Sequence, residues 1–291
     1  MIAITGANGQ LGRLILQQLL ARGVPAASIV ATVRSPAKAA DLAALGVQLR
    51  EADYNRPETL ARALQGVQRL LLVSSSEVGQ RLPQHRAVID AARAAGVAWL
   101  GYTSLLHADR SPLGLAAEHR DTEALIRASG LPHTVLRNGW YTENYLASLA
   151  PALQHGAFIG SAGAGRIASA TRLDYAEAAA TVLARPPAGN TVFELAGDSS
   201  YTLAELAAEL SRQAGRSVPY VNLPQADYAA ALTAAGLPPP LAALLADSDA
   251  GAAQGGLLDE GRALSALIGR ATTPLAAAMA QALAALPPQV A

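Results

Sequence analysis

The chain has 291 residues, 51% of them apolar, and 22 Lys plus Arg balance 22 Asp plus Glu; this is enough apolar content for one large α/β core with an appended lobe. There is no cysteine, which excludes disulfides, thiolate zinc sites, iron–sulfur ligation and cysteine nucleophiles, and no metal is expected. A formal net charge of +0 offers no broad attraction for nucleic acid or an anionic membrane, so a phosphate-bearing ligand must be held locally.

The N-terminus enters Ile2-Ala3-Ile4-Thr5 without a basic or long apolar leader. The most apolar later stretch, 275–286, is shorter than the ~20 residues that a membrane span takes. A soluble, cytoplasmic protein is the expectation. Short β-branched or leucine-rich runs at 2–5, 29–33, 47–50, 69–73, 99–103 and 134–137 alternate with helical patterns, and Gly23, Gly46, Gly66, Gly96 and Gly130 each fall shortly before the next run. This rhythm predicts successive βα units, hence a doubly wound (Rossmann) α/β parallel sheet.

Directly after the first predicted strand comes Thr5-Gly6-Ala7-Asn8-Gly9-Gln10-Leu11-Gly12. A strand that turns sharply, a backbone that approaches a pyrophosphate and a helix packed on the sheet each want a residue without a Cβ. The helix N-terminus then presents unpaired N–H groups and partial positive charge to the phosphates. After the second strand, Arg34 stands where NAD-preferring proteins carry an acidic residue, and Lys38 lies one turn on. A guanidinium there suits the 2′-phosphate of NADPH; the other reading of both cations is a solvated surface. Asp53 follows the third strand, either to accept from an adenine amino group or to make a turn. Ser74, Ser75 and Ser76 close the fourth strand at the carboxyl edge, where the ligand crevice of such a sheet lies; turn chemistry alone is the other reading of these serines.

The position that usually carries the chemistry is altered. Short-chain dehydrogenases that interconvert alcohols and ketones use a Tyr-x-x-x-Lys pair, in which lysine lowers the tyrosine pKa. Lys38 is the sole lysine, so the pair cannot form. Eleven and fifteen residues after Ser104 the places hold Leu115 and His119; His119 either faces the cofactor or belongs to the packed surface. A quinone relaxes the need for the pair, because hydride addition leaves a delocalised phenolate that water protonates, and face-to-face holding in a dry slot does most of the work. The run Asn138-Gly139-Trp140-Tyr141-Thr142-Glu143-Asn144-Tyr145 packs three aromatics beside amides in a chain with 4% aromatics. It reads as a flat apolar slot, with Asn144 the candidate polar contact to the acceptor and so the one catalytic candidate. Anchoring of a seam between lobes is the competing reading for Trp140 and Tyr145.

Beyond the strand at 134–137 the pattern loosens through Gly156, Gly160, Gly163 and Gly165 into short strands and alanine-rich helices. The expected division is an NADP-binding Rossmann domain over 1–140 and a smaller C-terminal α/β substrate lobe over 141–291, across a soft boundary that the chain is free to cross again.

The segment 5–12, Arg34, the runs 71–81 and 102–109, and above all Leu136-Arg137 followed by 138–145, resemble the NmrA-like atypical short-chain dehydrogenases. Within them the likeness is to the bacterial flavin-independent NAD(P)H:quinone oxidoreductases. It extends through Ala196-Gly197-Asp198-Ser199, 245–249 and 267–270, so it covers nearly the whole chain. The resemblance implies an NADPH cradle of Gly6 to Leu11, Arg34, Ser74 to Ser76, Asn138 to Glu143 and the later residues Ala170, Thr171, Arg172, Leu173 and Asp174. It implies a quinone partner against the nicotinamide, beneath the C-terminal lobe. A catalytically silent NADP(H)-sensing regulator of the same family is the alternative; a nucleoside-sugar epimerase is disfavoured by the missing Tyr–Lys pair. The oligomeric state is open between monomer and homodimer.

Overall fold

The computed structural model describes residues 1–287. Seven strands form one parallel sheet in the order β3-β2-β1-β4-β5-β6-β8. They are β1 (Ile2–Ile4), β2 (Ile29–Val33), β3 (Gln48–Glu51), β4 (Arg69–Leu72), β5 (Trp99–Leu105), β6 (His133–Asn138) and β8 (Thr191–Leu195). β1 sits between β2 and β4, with Ile2 opposite both Ile29 and Arg69. The strand order therefore reverses at β1/β4, which opens a crevice at the carboxyl ends of those two strands. Every residue of β1, β2, β5 and β6 is buried, as expected of strands covered on both faces.

One face is covered by the helices Gln10–Ala21 and Arg172–Ala184, whose Leu11, Ile15, Leu16 and Leu19 share a core with Ala176, Ala179, Ala180 and Leu183. The other is covered by Pro57–Ala63, Arg81–Ala94 and Ala116–Ser129, around Leu60, Val88, Ile89, Tyr102 and Ile126. Helix Ala116–Ser129 stops at Gly130 with φ +74, a left-handed cap that sends the chain into β6 at little steric cost.

A second lobe is built on β7 (Phe158–Gly160) paired parallel with β9 (Tyr220–Asn222). Around it lie the helices Leu149–His155, Leu203–Ala214 and Leu275–Ala284, which bury Leu153, Phe158, Leu206, Leu210 and Met279 together. The predicted six strands are all present, with β5 and β6 longer than expected. The seventh, β8, lies in the stretch read from sequence only as mixed short strands. The chain leaves the sheet near residue 140, then returns with helix Arg172–Ala184 and β8. Among the described residues no helix is long and apolar enough to cross a membrane.

An ionic cluster centred on buried Arg137 and Glu123 ties the carboxyl ends of β5, β6 and β8. Arg137 grips Glu123 with Nε and Nη2 at 2.9 and 2.8 Å, and its Nη1 reaches Asp109 and Glu194, each at 2.7 Å. Ser104 donates to Glu123 at 2.6 Å. Glu123 and Glu194 raise the Arg137 pKa, the bonds to Glu123 most of all.

Candidate functional site

The crevice begins at the turn after β1. Gly6 has φ +58, the left-handed region that suits glycine. Gly9 donates to the Gly6 carbonyl at 2.9 Å and stands at the N-cap of helix Gln10–Ala21, with no side chain capping it. A Cβ on Gly12 would sit 2.4 Å from the Gly6 oxygen and 2.8 Å from Ala7 Cα, so the helix is pressed onto its own loop. Ala7 is fully buried behind the turn. The first N–H groups of the helix thus stay free to meet an anion.

Arg13 clamps this loop from outside. It bonds the backbone and side-chain oxygens of Asn8 and pairs with Asp41, while the Asn8 amide reaches the Lys38 carbonyl at 3.5 Å. Neither Arg13 nor Asp41 stood out in the sequence, since their meeting needs the chain to come back after β2.

From this loop a cleft of ≈690 Å³ runs over the sheet edge, walled by Gly6, Asn8 to Gly12, Arg34, Lys38, Asp53, Ser74 to Ser76 and, at one end, Tyr141. Tyr54, Glu77, Arg81 and Gln84 also line it and were not singled out. Tyr54 supplies a flat ring, and its hydroxyl pKa is pushed up to about 12 by burial. Arg34 and Lys38 are exposed, and Arg34 pairs with Glu77 at 2.8 Å. Asp53 Oδ1 accepts from the Asn55 amide at 3.0 Å, a local turn.

The serine segment is fixed from beneath. Ser74 and Ser75 donate their backbone N–H to Thr103 Oγ1 and His85 Nε2, both at 2.9 Å. His85 must therefore carry its proton on Nδ1, which faces Thr122 Oγ1 at 3.0 Å. Burial, reinforced by Arg81, pushes its pKa down to about 3. Arg81 is itself buried, bonding the Ser75 carbonyl at 2.8 Å and Glu118 at 2.9 Å.

The predicted aromatic slot is corrected by the structure. Of its three rings Tyr141 alone lines the cleft. Trp140 and Tyr145 are 6% and 5% exposed and pack together in the core of the second lobe, where the Tyr145 hydroxyl donates to buried Asp249 at 2.8 Å. Tyr145 is carried inward by the short helix Thr142–Leu146 and Trp140 lies on the segment just before it, and apolar burial favours that placement. The Arg172 guanidinium lies 4.7 Å from the centre of the Tyr141 ring, a cation–π contact. It also donates to Asn144 Oδ1 at 2.7 Å, so that amide oxygen already has a protein partner.

The other expected contacts stand behind Tyr141. Thr142 donates to the Ala170 carbonyl at 2.9 Å, Glu143 accepts from the Arg172 amide at 2.9 and 3.1 Å, and Thr171 with Asp174 forms the capping box of helix Arg172–Ala184. Asp174 is fully buried and paired with Arg270; Leu173 points outward. Asn138 is buried with its Oδ1 unpartnered. Gly139 has no room for a side chain, its Cβ falling 2.9 Å from the Tyr175 hydroxyl. Apart from Tyr141, none of Asn138 to Glu143 or Ala170 to Asp174 is in the cleft wall. His119 is also away from it, 5% exposed with Nδ1 2.7 Å from the Tyr102 hydroxyl.

A cleft of this size, starting at a glycine cradle that a Cβ would fill and at an uncapped helix N-terminus, fits a dinucleotide. The sequence profile of the NAD(P)H-binding family matches residues 6–186. The chain belongs to that family. Family membership agrees with the glycine cradle and the position of the cleft on the sheet. Quinone oxidoreductase 2 of Escherichia coli (strain K12) is 61% identical over 276 residues, 95% of this chain and 96% of that protein. The crystal structure of an NADPH-dependent quinone oxidoreductase from Escherichia coli complexed with NADPH has a TM-score of 0.95 at 59% identity, over 97% of this chain and 100% of that one. The Citrobacter sp. triphenylmethane reductase complexed with NADP(H) has a TM-score of 0.93 at 38% identity, over 97% of this chain and 100% of that one.

Proposed function

We propose that this chain reduces quinones at the expense of NADPH, without flavin. The observation that carries the reading is the cleft itself. A phosphate-receiving helix end, the exposed cations Arg34 and Lys38, and Tyr141 line one cleft, and the sequence holds no Tyr-x-x-x-Lys acid pair. The full-length likeness to a protein named as a quinone oxidoreductase supports the choice of acceptor. NADPH, when bound, supplies a hydride.

The residues of the chain hold and orient. The N–H groups that follow Gly9 meet the pyrophosphate, and Arg34 with Lys38 takes the 2′-phosphate through charge-assisted hydrogen bonds. Tyr54 and Asp53 border the adenosine end, and the pinned Ser74-Ser75-Ser76 segment forms the opposite wall. Tyr141, held by Arg172 on one side and edge-on to Tyr175 on the other, is the rigid surface at the acceptor end. His85 and Thr103 fix the wall without entering it. Hydride addition leaves a delocalised phenolate that needs only one proton, which water supplies, so the site needs position and dryness more than an acid.

The test is steady-state oxidation of NADPH with a simple benzoquinone by protein shown to be free of flavin. Turnover that scales with enzyme and survives flavin removal is expected. Tight NADPH binding with no turnover above background would favour the silent regulator instead.

A further inference from the structure

We propose that Glu77 competes with the 2′-phosphate for Arg34, and so sets how far NADPH is preferred over NADH; this rests on the NADPH reading above. Arg34 follows β2 and Glu77 follows β4, so the two stand on opposite lips of the cleft, joined by Nη1–Oε1 at 2.8 Å. The carboxylate is the fixed half of the pair. Its other oxygen accepts from Gln84 Nε2 at 2.7 Å, and Gln84 is 3% exposed. Ser75 Oγ in turn donates to Gln84 Oε1 at 2.5 Å and accepts from the Glu77 amide at 3.2 Å. Arg34 is the mobile half: its side chain is 72% exposed, and among the described residues Glu77 is its one salt-bridge partner.

A carboxylate and a phosphate dianion on one guanidinium repel each other, so a 2′-phosphate draws Arg34 away from Glu77. The 2′-hydroxyl of NADH makes no such demand. The pair therefore lowers affinity for the phosphorylated nucleotide selectively, and the enzyme's cofactor ratio depends on an acidic residue after the fourth strand as well as on the arginine after the second.

The experiment is calorimetric titration of adenosine 2′,5′-bisphosphate and of 5′-AMP into the wild type, Glu77→Gln, Arg34→Ala and the double variant. Glutamine keeps the size of the side chain and an oxygen for Gln84. The ratio of the 5′-AMP Kd to the bisphosphate Kd rises about 1.5- to fivefold in Glu77→Gln, the range expected for freeing an exposed ion pair, and does not rise when Arg34 is already alanine. An unchanged or lower ratio in Glu77→Gln, or the same rise without Arg34, overturns the competition. A wild-type ratio near one overturns the NADPH reading itself, whereas a high wild-type ratio that ignores Glu77→Gln removes only the role of Glu77.

Discussion

Substituting Gly12 by alanine isolates the contribution of close packing between the first helix and its loop. The added methyl meets backbone, the Gly6 oxygen at 2.4 Å and Ala7 Cα at 2.8 Å, so no rotamer change relieves it. Ordinary contact begins at 3.4 Å, and loop and helix must part by about 1 Å. A displacement of that size carries a ~2.9 Å hydrogen bond past its useful range. Losing one charge-assisted bond to phosphate costs about 1.5–3 kcal/mol, or roughly tenfold to a hundredfold in affinity. The helix keeps its buried Ile15, Leu16 and Leu19, so the variant stays folded. NADPH titration followed by nicotinamide fluorescence, with circular dichroism to verify folding, measures the effect. A folded Gly12→Ala protein that binds NADPH within about threefold of wild type would refute the idea that this contact sets the phosphate geometry.

Arg34→Ala weakens NADPH use by the equivalent of one or two charge-assisted hydrogen bonds, ~1.5–3 kcal/mol each, and leaves NADH use nearly alone; kcat/KM with both cofactors checks it, and equal losses would count against the assignment. Glu123→Ala strands the buried Arg137 guanidinium and destabilises by about 3 kcal/mol, the low end for a broken buried pair because Asp109 and Glu194 still face it; calorimetry should record a Tm lower by roughly 5 °C. Acid weakens the fold through His85. The unfolded chain takes up a proton below about pH 6.5, while folded His85 stays neutral down to about 3. Its contribution is thus complete above pH 6.5 and is lost as pH falls toward 3, about 2–3 kcal/mol by pH 4.5. Urea unfolding at the two pH values, in wild type and His85→Gln, gives the difference; an equal loss in both proteins would remove His85 as the cause.

What could be read from the residues alone was whatever local spacing encodes. The glycines of 6–12 report a turn, a close approach and a packed helix within seven positions, and the six β-branched or leucine-rich runs reappear as six adjacent strands. Contacts between distant segments were hidden. Arg13 finds Asp41, and Arg34 finds Glu77, only after β2 and β4 are laid on either side of β1. Trp140 and Tyr145 read as a slot because rings clustered just after a strand can face either a ligand or the core. The chemistry of aromatics beside amides does not distinguish the two, and the core formed by Phe158, Leu206 and Met279 decides it. β8 escaped notice because Thr191-Val192-Phe193-Glu194-Leu195 is an edge strand with an exposed Val192, lacking the continuous apolar signature of its neighbours.

The return of the chain to the large sheet governs how the molecule can be divided. Ala176, Ala179, Ala180, Leu183, Leu195 and Leu264 belong to the same core as Ile4, Ile15 and Leu19, although they come from well beyond residue 140. A fragment cut there would bare the apolar flank of its first helix and leave β6 without its outer neighbour. Neither half keeps its core when cut there, so the cofactor cradle and the second lobe are expected to assemble and melt as one cooperative body, and a lesion in either to be transmitted to both.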